Sequence, residues 1–153
     1  MNTVYMNSII RYEPTQVKLT LPYVLSTVPA GFPSPAADYI QSRLSTDDLL
    51  IHDPISTYFI RAKGDSMRDA GISDGDILVV NSAMEAVDGD VVVAVIDGAF
   101  TVKRLRLKSG HAELHAENNE VAYPVLQPLH ELQILGVVTS NVHIHRAKPG
   151  LKL

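Results

Sequence analysis

The stretch DVVVAVIDGAFTVKRLRLK, residues 90–108, contains two runs of branched and aliphatic residues separated by Asp97 and Gly98. Branched residues favour strands. An Asp-Gly pair between two such runs predicts a two-residue hairpin, because a type I′ turn needs positive φ at both positions. Residues 91–96 are apolar on both faces, so we predict a central strand there. After the turn, cations alternate with apolar residues, which indicates a strand with one solvated face.

Runs of the same kind surround this hairpin. They are short, rich in branched and aromatic residues, and separated by Gly, Asp, Asn and Pro. Many short strands with few helices indicate an all-β barrel or sandwich-like fold, so the predicted fold class is mostly β. The further predicted strands are TYFIRAK, DILVVN, AELHAEN, YPVLQ, LQILGVV and NVHIH.

Residues 1–34 differ from the rest of the chain, because prolines interrupt them and no helical or strand period is sustained. We predict a flexible N-terminal arm over 1–34 and a β domain over 35–153. Within the arm, VKLTLPYVLSTV could form short extended pieces.

Two helix starts follow the arm. Ser34 suits an N-cap and Pro35 suits the first helical position, which predicts a helix of about two turns in SPAADYIQSRL. Ser45 begins a second, weaker start, since Asp47 and Asp48 place acids in a first turn.

Composition excludes several classes of protein. The chain has no cysteine, which excludes disulfides, thiolate zinc sites and a cysteine nucleophile. No run approaches the roughly 20 apolar residues that span a bilayer, and the N-terminus lacks the features of a signal peptide. The net charge is −4 and no dense Lys/Arg run is present. We therefore predict a cytoplasmic protein without direct sequence-specific DNA binding.

The segment GDSMRDAGISDGD, residues 64–76, is the first candidate for chemistry. Gly64 and Gly71 permit unusual backbone angles, so Ser66 would lie in a tight turn between two strands. There its hydroxyl can be exposed while nearby amides face a substrate oxygen. A polar turn that merely contains a serine remains the other interpretation, since the pattern G-x-S is common.

A serine nucleophile needs a base. None of the six histidines has a recognisable triad setting, whereas Lys103 lies just after the hairpin turn beside Val102 and Leu105. Burial among core residues would favour its neutral form, which can accept a hydroxyl proton. By itself Lys103 could equally be an exposed strand lysine.

Other polar clusters are weaker candidates. His111 and His115 are four residues apart and His143 and His145 are two apart, but no obvious further ligands complete a metal set. The acids of residues 65–76 lack the terminal glutamate of a calcium loop and suit turn chemistry better. We predict neither a metal site nor a cofactor.

Taken together, these motifs resemble the LexA/UmuD self-cleaving family, most closely its UmuD branch. The resemblance runs from about residue 28 to about residue 146 and rests on GDSMRDAGISDGDILVV, DGDVVVAVIDGAFTVKRL and VPAGFPSPAADYIQSRLSTDDLLI. It implies a LexA/signal-peptidase-like β fold, with Ser66 as nucleophile and Lys103, 37 residues later, as general base. That family cuts before a glycine, which implies cleavage here between Ala30 and Gly31.

The resemblance also implies a role in the SOS response. In that family, RecA on single-stranded DNA stimulates self-cleavage, and the shortened UmuD product serves an error-prone translesion DNA polymerase of the UmuC type, in the Y family. A homodimer is implied as well, with cleavage in cis or in trans. LexA carries a winged helix-turn-helix before its cleavage site, whereas only 30 proline-rich residues precede that point here. This favours the UmuD-type role.

Three alternatives remain open from the sequence. The chain could be a polymerase-binding or regulatory module whose peptidase is idle, which alkaline incubation and intact mass would distinguish. It could be a signal-peptidase-like enzyme, although these are normally anchored in a membrane. It could also be a truncated LexA-type or phage repressor, which an upstream DNA-binding domain would indicate.

Overall fold

The computed structural model describes residues 18–24, 27–28, 30–31 and 41–150. Within these ranges nearly all regular structure is β, which confirms the predicted mostly β fold class. The elements are β1 (Leu21–Val24), β2 (Gln41–Leu44), α1 (Thr46–Leu50), β3 (Thr57–Arg61), β4 (Ile77–Asn81), β5 (Val91–Ile96), β6 (Ala99–Lys108), β7 (His111–His115) and β8 (Leu132–Val142).

The chain forms two compact units, residues 1–52 and residues 53–153. The first contains a two-stranded antiparallel sheet in which β1 pairs with β2. The short helix α1 follows, and Ser45 caps it by accepting a hydrogen bond from the Asp47 amide at 3.3 Å. The weaker predicted helix start, at Ser45, is therefore confirmed.

The predicted helix in SPAADYIQSRL is wrong over its last four residues. Residues 41–44 form β2, because pairing with β1 supplies backbone partners that outweigh a modest helical propensity. The Arg43 side chain adds two bonds to Thr20, at 2.9 Å to Oγ1 and 2.6 Å to the carbonyl oxygen. The rest of that predicted helix, and its proposed cap at Ser34, lie outside the described residues. The extended pieces expected in VKLTLPYVLSTV are confirmed by β1.

The second unit contains a six-stranded antiparallel sheet with the order β3-β4-β8-β5-β6-β7. The predicted hairpin joins β5 to β6, with Asp97 at φ 46° and Gly98 at φ 84°. Both angles are positive, as a type I′ turn requires. Since β5 lies between β8 and β6, the prediction of a central strand is also confirmed.

Two hydrophobic clusters meet at β5, because successive side chains of a strand point to opposite faces. One face contributes Val93 to a cluster with Leu78, Val80 and other residues. The other face contributes residues of a cluster that includes Leu105 and Leu114. Full burial of each such aliphatic side chain contributes about 1.5–3 kcal/mol.

Two strand predictions near the C-terminus need correction. The run YPVLQ forms only an isolated bridge, between Leu126 and Leu114, and its Pro124 has no amide to donate to a ladder. LQILGVV and the start of NVHIH belong to one strand, β8, because no turn separates them; the histidines at its end lie beyond the strand.

The predicted domain boundary falls between residues 34 and 35, which lie outside the described residues, so the division into arm and domain stays a prediction. No helix in the described part of the chain is long and apolar enough to cross a bilayer.

Candidate active site

Ser66 lies in the loop between β3 and β4, as the sequence predicts. Gly64 at φ 91° and Gly71 at φ 79° stand at the two ends of the turn that contains Ser66. Both φ angles are positive, so any residue with a Cβ would strain the backbone there. Between them is a single 3₁₀ turn, Arg68–Ala70. Met67 is 3% exposed and packs in the first hydrophobic cluster, so it anchors the backbone directly after the half-buried serine.

Lys103 lies on β6 opposite Val92 of β5 and is only 9% exposed. Its Nζ donates hydrogen bonds to Ser66 Oγ at 2.8 Å and to the Val102 carbonyl oxygen at 3.0 Å. The structure thus brings the two predicted site residues into direct contact across 37 positions of sequence.

Burial lowers the pKa of Lys103 below the ordinary lysine value of 10.5. Among the described residues no carboxylate forms an ion pair with this amine. Its charged form is therefore poorly stabilised, and a neutral amine facing a hydroxyl is the arrangement that a general base requires.

The contact lies in a cleft of about 250 Å³. One wall is the end of β3 with the segment leading to Ser66, and the other is the start of β6. Apolar side chains form much of the lining, and the exposed cations Arg61 and Lys63 also border the cleft, which has room for an extended peptide of small residues. The lining includes Ile60, Ala62, Gly64, Met67, Ile72, Val93, Phe100, Thr101 and Val102.

A loop after β7 supports the serine turn, and sequence reasoning assigned it no role. The Glu117 amide donates to the Ser66 carbonyl oxygen, and the Glu117 carbonyl oxygen accepts from the Asp69 amide, both at 2.8 Å. Asn118 Nδ2 donates to the Asp65 carbonyl oxygen at 2.9 Å. The sequence predicted Glu117 and Asn118 at the end of the strand AELHAEN, whereas β7 ends at His115 and both residues lie in the loop.

A second polar network lies at the end of the serine loop, next to β4. Asp76 is 2% exposed and accepts from the Ser73 amide at 2.9 Å, from Asn141 Nδ2 at 2.8 Å and from His143 Nδ1 at 2.5 Å. Burial acts to raise the pKa of Asp76, but these hydrogen bonds together hold it below its ordinary value. Asp74 likewise accepts from the Gly64 amide at 2.6 Å. The acids of this segment thus accept hydrogen bonds both within the loop and from distant parts of the chain.

The predicted histidine pairs have different surroundings. The rings of His143 and His145 are in edge contact, with centroids 4.8 Å apart, while His115 lies 2.8 Å from a carboxylate oxygen of Glu113. Nowhere in residues 18–24, 27–28, 30–31 and 41–150 do three His, Asp or Glu side chains converge as a metal site would need.

The predicted cleavage site falls in the first compact unit. Ala30 and Gly31 both lie in a bend and are exposed to solvent. A Cβ built on Gly31 would meet no atom within 4 Å. The bond between them is thus accessible.

Comparison with known proteins identifies the family and agrees with the mostly β fold. The Peptidase S24-like family matches residues 22–139. The protein SamA of Salmonella typhimurium is 47% identical over 135 residues, covering 88% of this chain and 94% of SamA. The protein ImpA of Escherichia coli is 45% identical over 114 residues, which are 74% of this chain and 77% of ImpA. The protein MucA of Escherichia coli is 37% identical over 126 residues, which are 82% of this chain and 86% of MucA.

The fold and this match define the class as a self-cleaving serine peptidase in general terms. The chain belongs to the Peptidase S24-like family, so the resemblance to the LexA/UmuD proteins is confirmed. The relatives SamA, ImpA and MucA are UmuD-like mutagenesis proteins, so the expected function of a UmuD-like, self-cleaving SOS mutagenesis protein is confirmed.

Proposed function

We propose that Ser66 and Lys103 are the nucleophile and general base of a self-cleavage reaction that cuts the Ala30–Gly31 bond. The observation that carries the proposal is the 2.8 Å contact between Lys103 Nζ and Ser66 Oγ, at a lysine whose burial favours the neutral amine. When the amine is neutral, the direction of this hydrogen bond reverses and the hydroxyl donates to Nζ.

The reaction then proceeds in two stages. Lys103 accepts the hydroxyl proton as Ser66 Oγ bonds to the Ala30 carbonyl carbon. The carbon–nitrogen bond breaks, and the Gly31 nitrogen takes the proton from Lys103 as it leaves. Water then attacks the ester carbonyl carbon as Lys103 accepts its proton, and Lys103 returns that proton to Ser66 Oγ as the carbon–oxygen bond breaks. The products are a fragment ending at Ala30, a domain beginning at Gly31 and a regenerated Ser66.

The oxyanion of each tetrahedral intermediate needs amide donors. Neither the Ser66 amide nor the Met67 amide donates a hydrogen bond to another described residue. Both amides are therefore available to the developing oxyanion, in keeping with a serine held in a tight turn.

Self-cleavage in the cytoplasm changes which proteins this chain binds. A RecA filament on single-stranded DNA stimulates it, and the homodimeric product serves a UmuC-type translesion polymerase. The UmuD-like relatives support these partners as part of the proposal. The partners are tested by adding activated RecA to the intact chain and by co-purifying the product that begins at Gly31 with such a polymerase subunit.

Mass mapping of N-termini tests the chemistry. The intact chain, Ser66→Ala and Lys103→Ala are incubated at alkaline pH, and separately with activated RecA. We expect a fragment beginning at Gly31 from the intact chain, none from Ser66→Ala, and a rate at least about 100-fold lower from Lys103→Ala. A fragment beginning at Gly31 from Ser66→Ala would contradict the proposal, as would an intact chain that never cleaves.

A further inference from the structure

The backbone of Ser66 is held from outside the sheet. Ser66 lies in a loop, so no strand ladder fixes it, and its carbonyl oxygen accepts from the Glu117 amide at 2.8 Å. The Asp69 amide in turn donates to the Glu117 carbonyl oxygen at 2.8 Å. The backbone of Glu117 therefore contacts the serine loop just before the 3₁₀ turn, at Ser66, and within it, at Asp69, so the position of Glu117 helps to fix the position of Ser66.

Glu117 is itself fixed by an arginine. Arg104 Nε and Nη2 donate to the two carboxylate oxygens of Glu117 at 2.7 and 2.8 Å, a bidentate pair. The third arm of the guanidinium, Nη1, donates to the Gly89 carbonyl oxygen at 2.8 Å. The side chains of Arg104 and Glu117 are 24% and 27% exposed, so water competes with the pair only in part.

Arg104 directly follows Lys103 on β6. We infer that Arg104 is a positioning residue of the self-cleavage reaction, which holds Ser66 at bonding distance from Lys103 through its ion pair with Glu117. One strand thus carries the base and, through a single side chain, also places the nucleophile. This inference rests on the roles proposed above for Ser66 and Lys103.

The effect of losing this link differs from that of losing the base. Near-attack geometry is sensitive, and a misplacement of about 1 Å can lower a rate about 100-fold. Burial is the cause of the lowered pKa of Lys103, and no Coulombic effect of Arg104 contributes to it. Arg104→Met should therefore lower the maximal cleavage rate and leave the midpoint of the pH–rate profile in place.

The test measures first-order alkaline self-cleavage against pH, at a temperature well below the Tm of every variant. We expect Arg104→Met to reduce the plateau rate about 100-fold with an unchanged midpoint. Arg104→Lys keeps the charge but cannot bind both carboxylate oxygens of Glu117 as the guanidinium does. Its plateau rate should therefore lie between those of Arg104→Met and the unaltered chain. Lys108→Met removes an equal charge from the exposed end of the same strand and should cleave normally.

The cleavage rate of the Arg104–Glu117 double variant gives a second readout, because general destabilisation would not make the effects of the two substitutions depend on each other. Arg104→Met and Glu117→Gln break the same link, so the double variant should be no slower than the slower single one. Additive losses in rate would overturn the inference, and so would a shifted midpoint. If Arg104→Met does not fold, Arg104→Lys and Glu117→Gln carry the same comparison.

The outcomes separate this inference from the proposed function. If Ser66→Ala is inactive while Arg104→Met and Glu117→Gln both cleave within about threefold of the unaltered chain, the serine–lysine pair stands and the positioning role is wrong. If Ser66→Ala still releases a fragment beginning at Gly31, the proposed function fails and the inference fails with it.

Discussion

In the proposed mechanism, Lys103 is the residue on which the rate of self-cleavage depends most directly. An amine that is 9% exposed and has no carboxylate partner among the described residues carries a desolvation penalty whenever it is charged. The same penalty lowers the pKa of Lys103 and makes the amine available as a base. Activity is therefore coupled to a local loss of stability.

The first residue-scale prediction concerns the rate. Self-cleavage should rise with pH as Lys103 loses its proton, and should level off below the ordinary lysine pKa of 10.5. The measurement is the first-order rate of release of the fragment beginning at Gly31 across that range. A flat profile from pH 7 to 11 would contradict the role of Lys103 as base.

The second residue-scale prediction concerns stability. Because the pKa of Lys103 is lower in the folded chain than in the unfolded chain, the unfolded chain binds more protons between the two values. The free energy of unfolding should therefore gain from Lys103 as pH rises from its folded pKa towards 10.5. Below the folded pKa the penalty is present in full.

Urea denaturation measures this gain. Ser66→Ala serves as the background, since it prevents cleavage, and Ser66→Ala with Lys103→Met is the comparison. The double variant should lack the gain in that pH window. Parallel curves for the two proteins would show that Lys103 titrates alike in both states.

At the scale of elements, β8 holds the sheet together because it pairs with β4 on one side and β5 on the other. The register shifts on both sides, so β8 bends as it passes its neighbours. Gly136 lies at the tightest approach: a Cβ there would lie 2.7 Å from the Asn81 carbonyl oxygen and 2.7 Å from a Val80 methyl. The backbone contact leaves no flexible atom to move aside.

Gly136→Ala should therefore destabilise the protein by about 1–3 kcal/mol, as overpacking of a buried site does. Urea denaturation in a Ser66→Ala background measures the change in the free energy of unfolding. Gln133→Ala is the matched control, because Gln133 is an exposed residue of the same strand. Equal free energies for the two variants would mean that the backbone at Gly136 relaxes freely.

At the scale of the whole molecule, the bond proposed for cleavage and the proposed catalytic pair belong to different compact units. Ala30 and Gly31 are exposed, so the Ala30 methyl group contributes little to folding. In the proposed reaction their small size has a chemical reason, since a bulky residue at the bond would hinder its entry into the cleft that contains Lys103.

Ala30→Phe should slow self-cleavage about 100-fold and leave the Tm unchanged. The rate of fragment release and the thermal transition are measured on the same sample. Leu49→Phe adds an aromatic ring at another exposed position of the same unit and should cleave normally. An unaltered rate in Ala30→Phe would place the cut elsewhere.

Features that depend on near neighbours could be predicted from the sequence. The hairpin at Asp97 and Gly98 follows from backbone angles that few residues adopt, and the cap at Ser45 follows from a bond to an amide two residues away. The central strand β5 follows from its unbroken apolar run. The pairing of Ser66 with Lys103 was expected only from the family resemblance, because spacing alone does not bring them together.

Tertiary structure decided the features that depend on contacts between residues far apart in sequence. Residues 41–44 became a strand because β1 pairs with them, and two predicted strands merged into β8 because it crosses two neighbours. The 2.8 Å contact of Ser66 with Lys103, the burial that lowers the pKa of that lysine, and the link from Arg104 through Glu117 arise in the same way. The sequence by itself determined the central strand β5, the hairpin turn and the cap at Ser45, since these depend on local backbone and side-chain preferences. Only the folded chain determined distance and desolvation, because both depend on residues far apart in sequence.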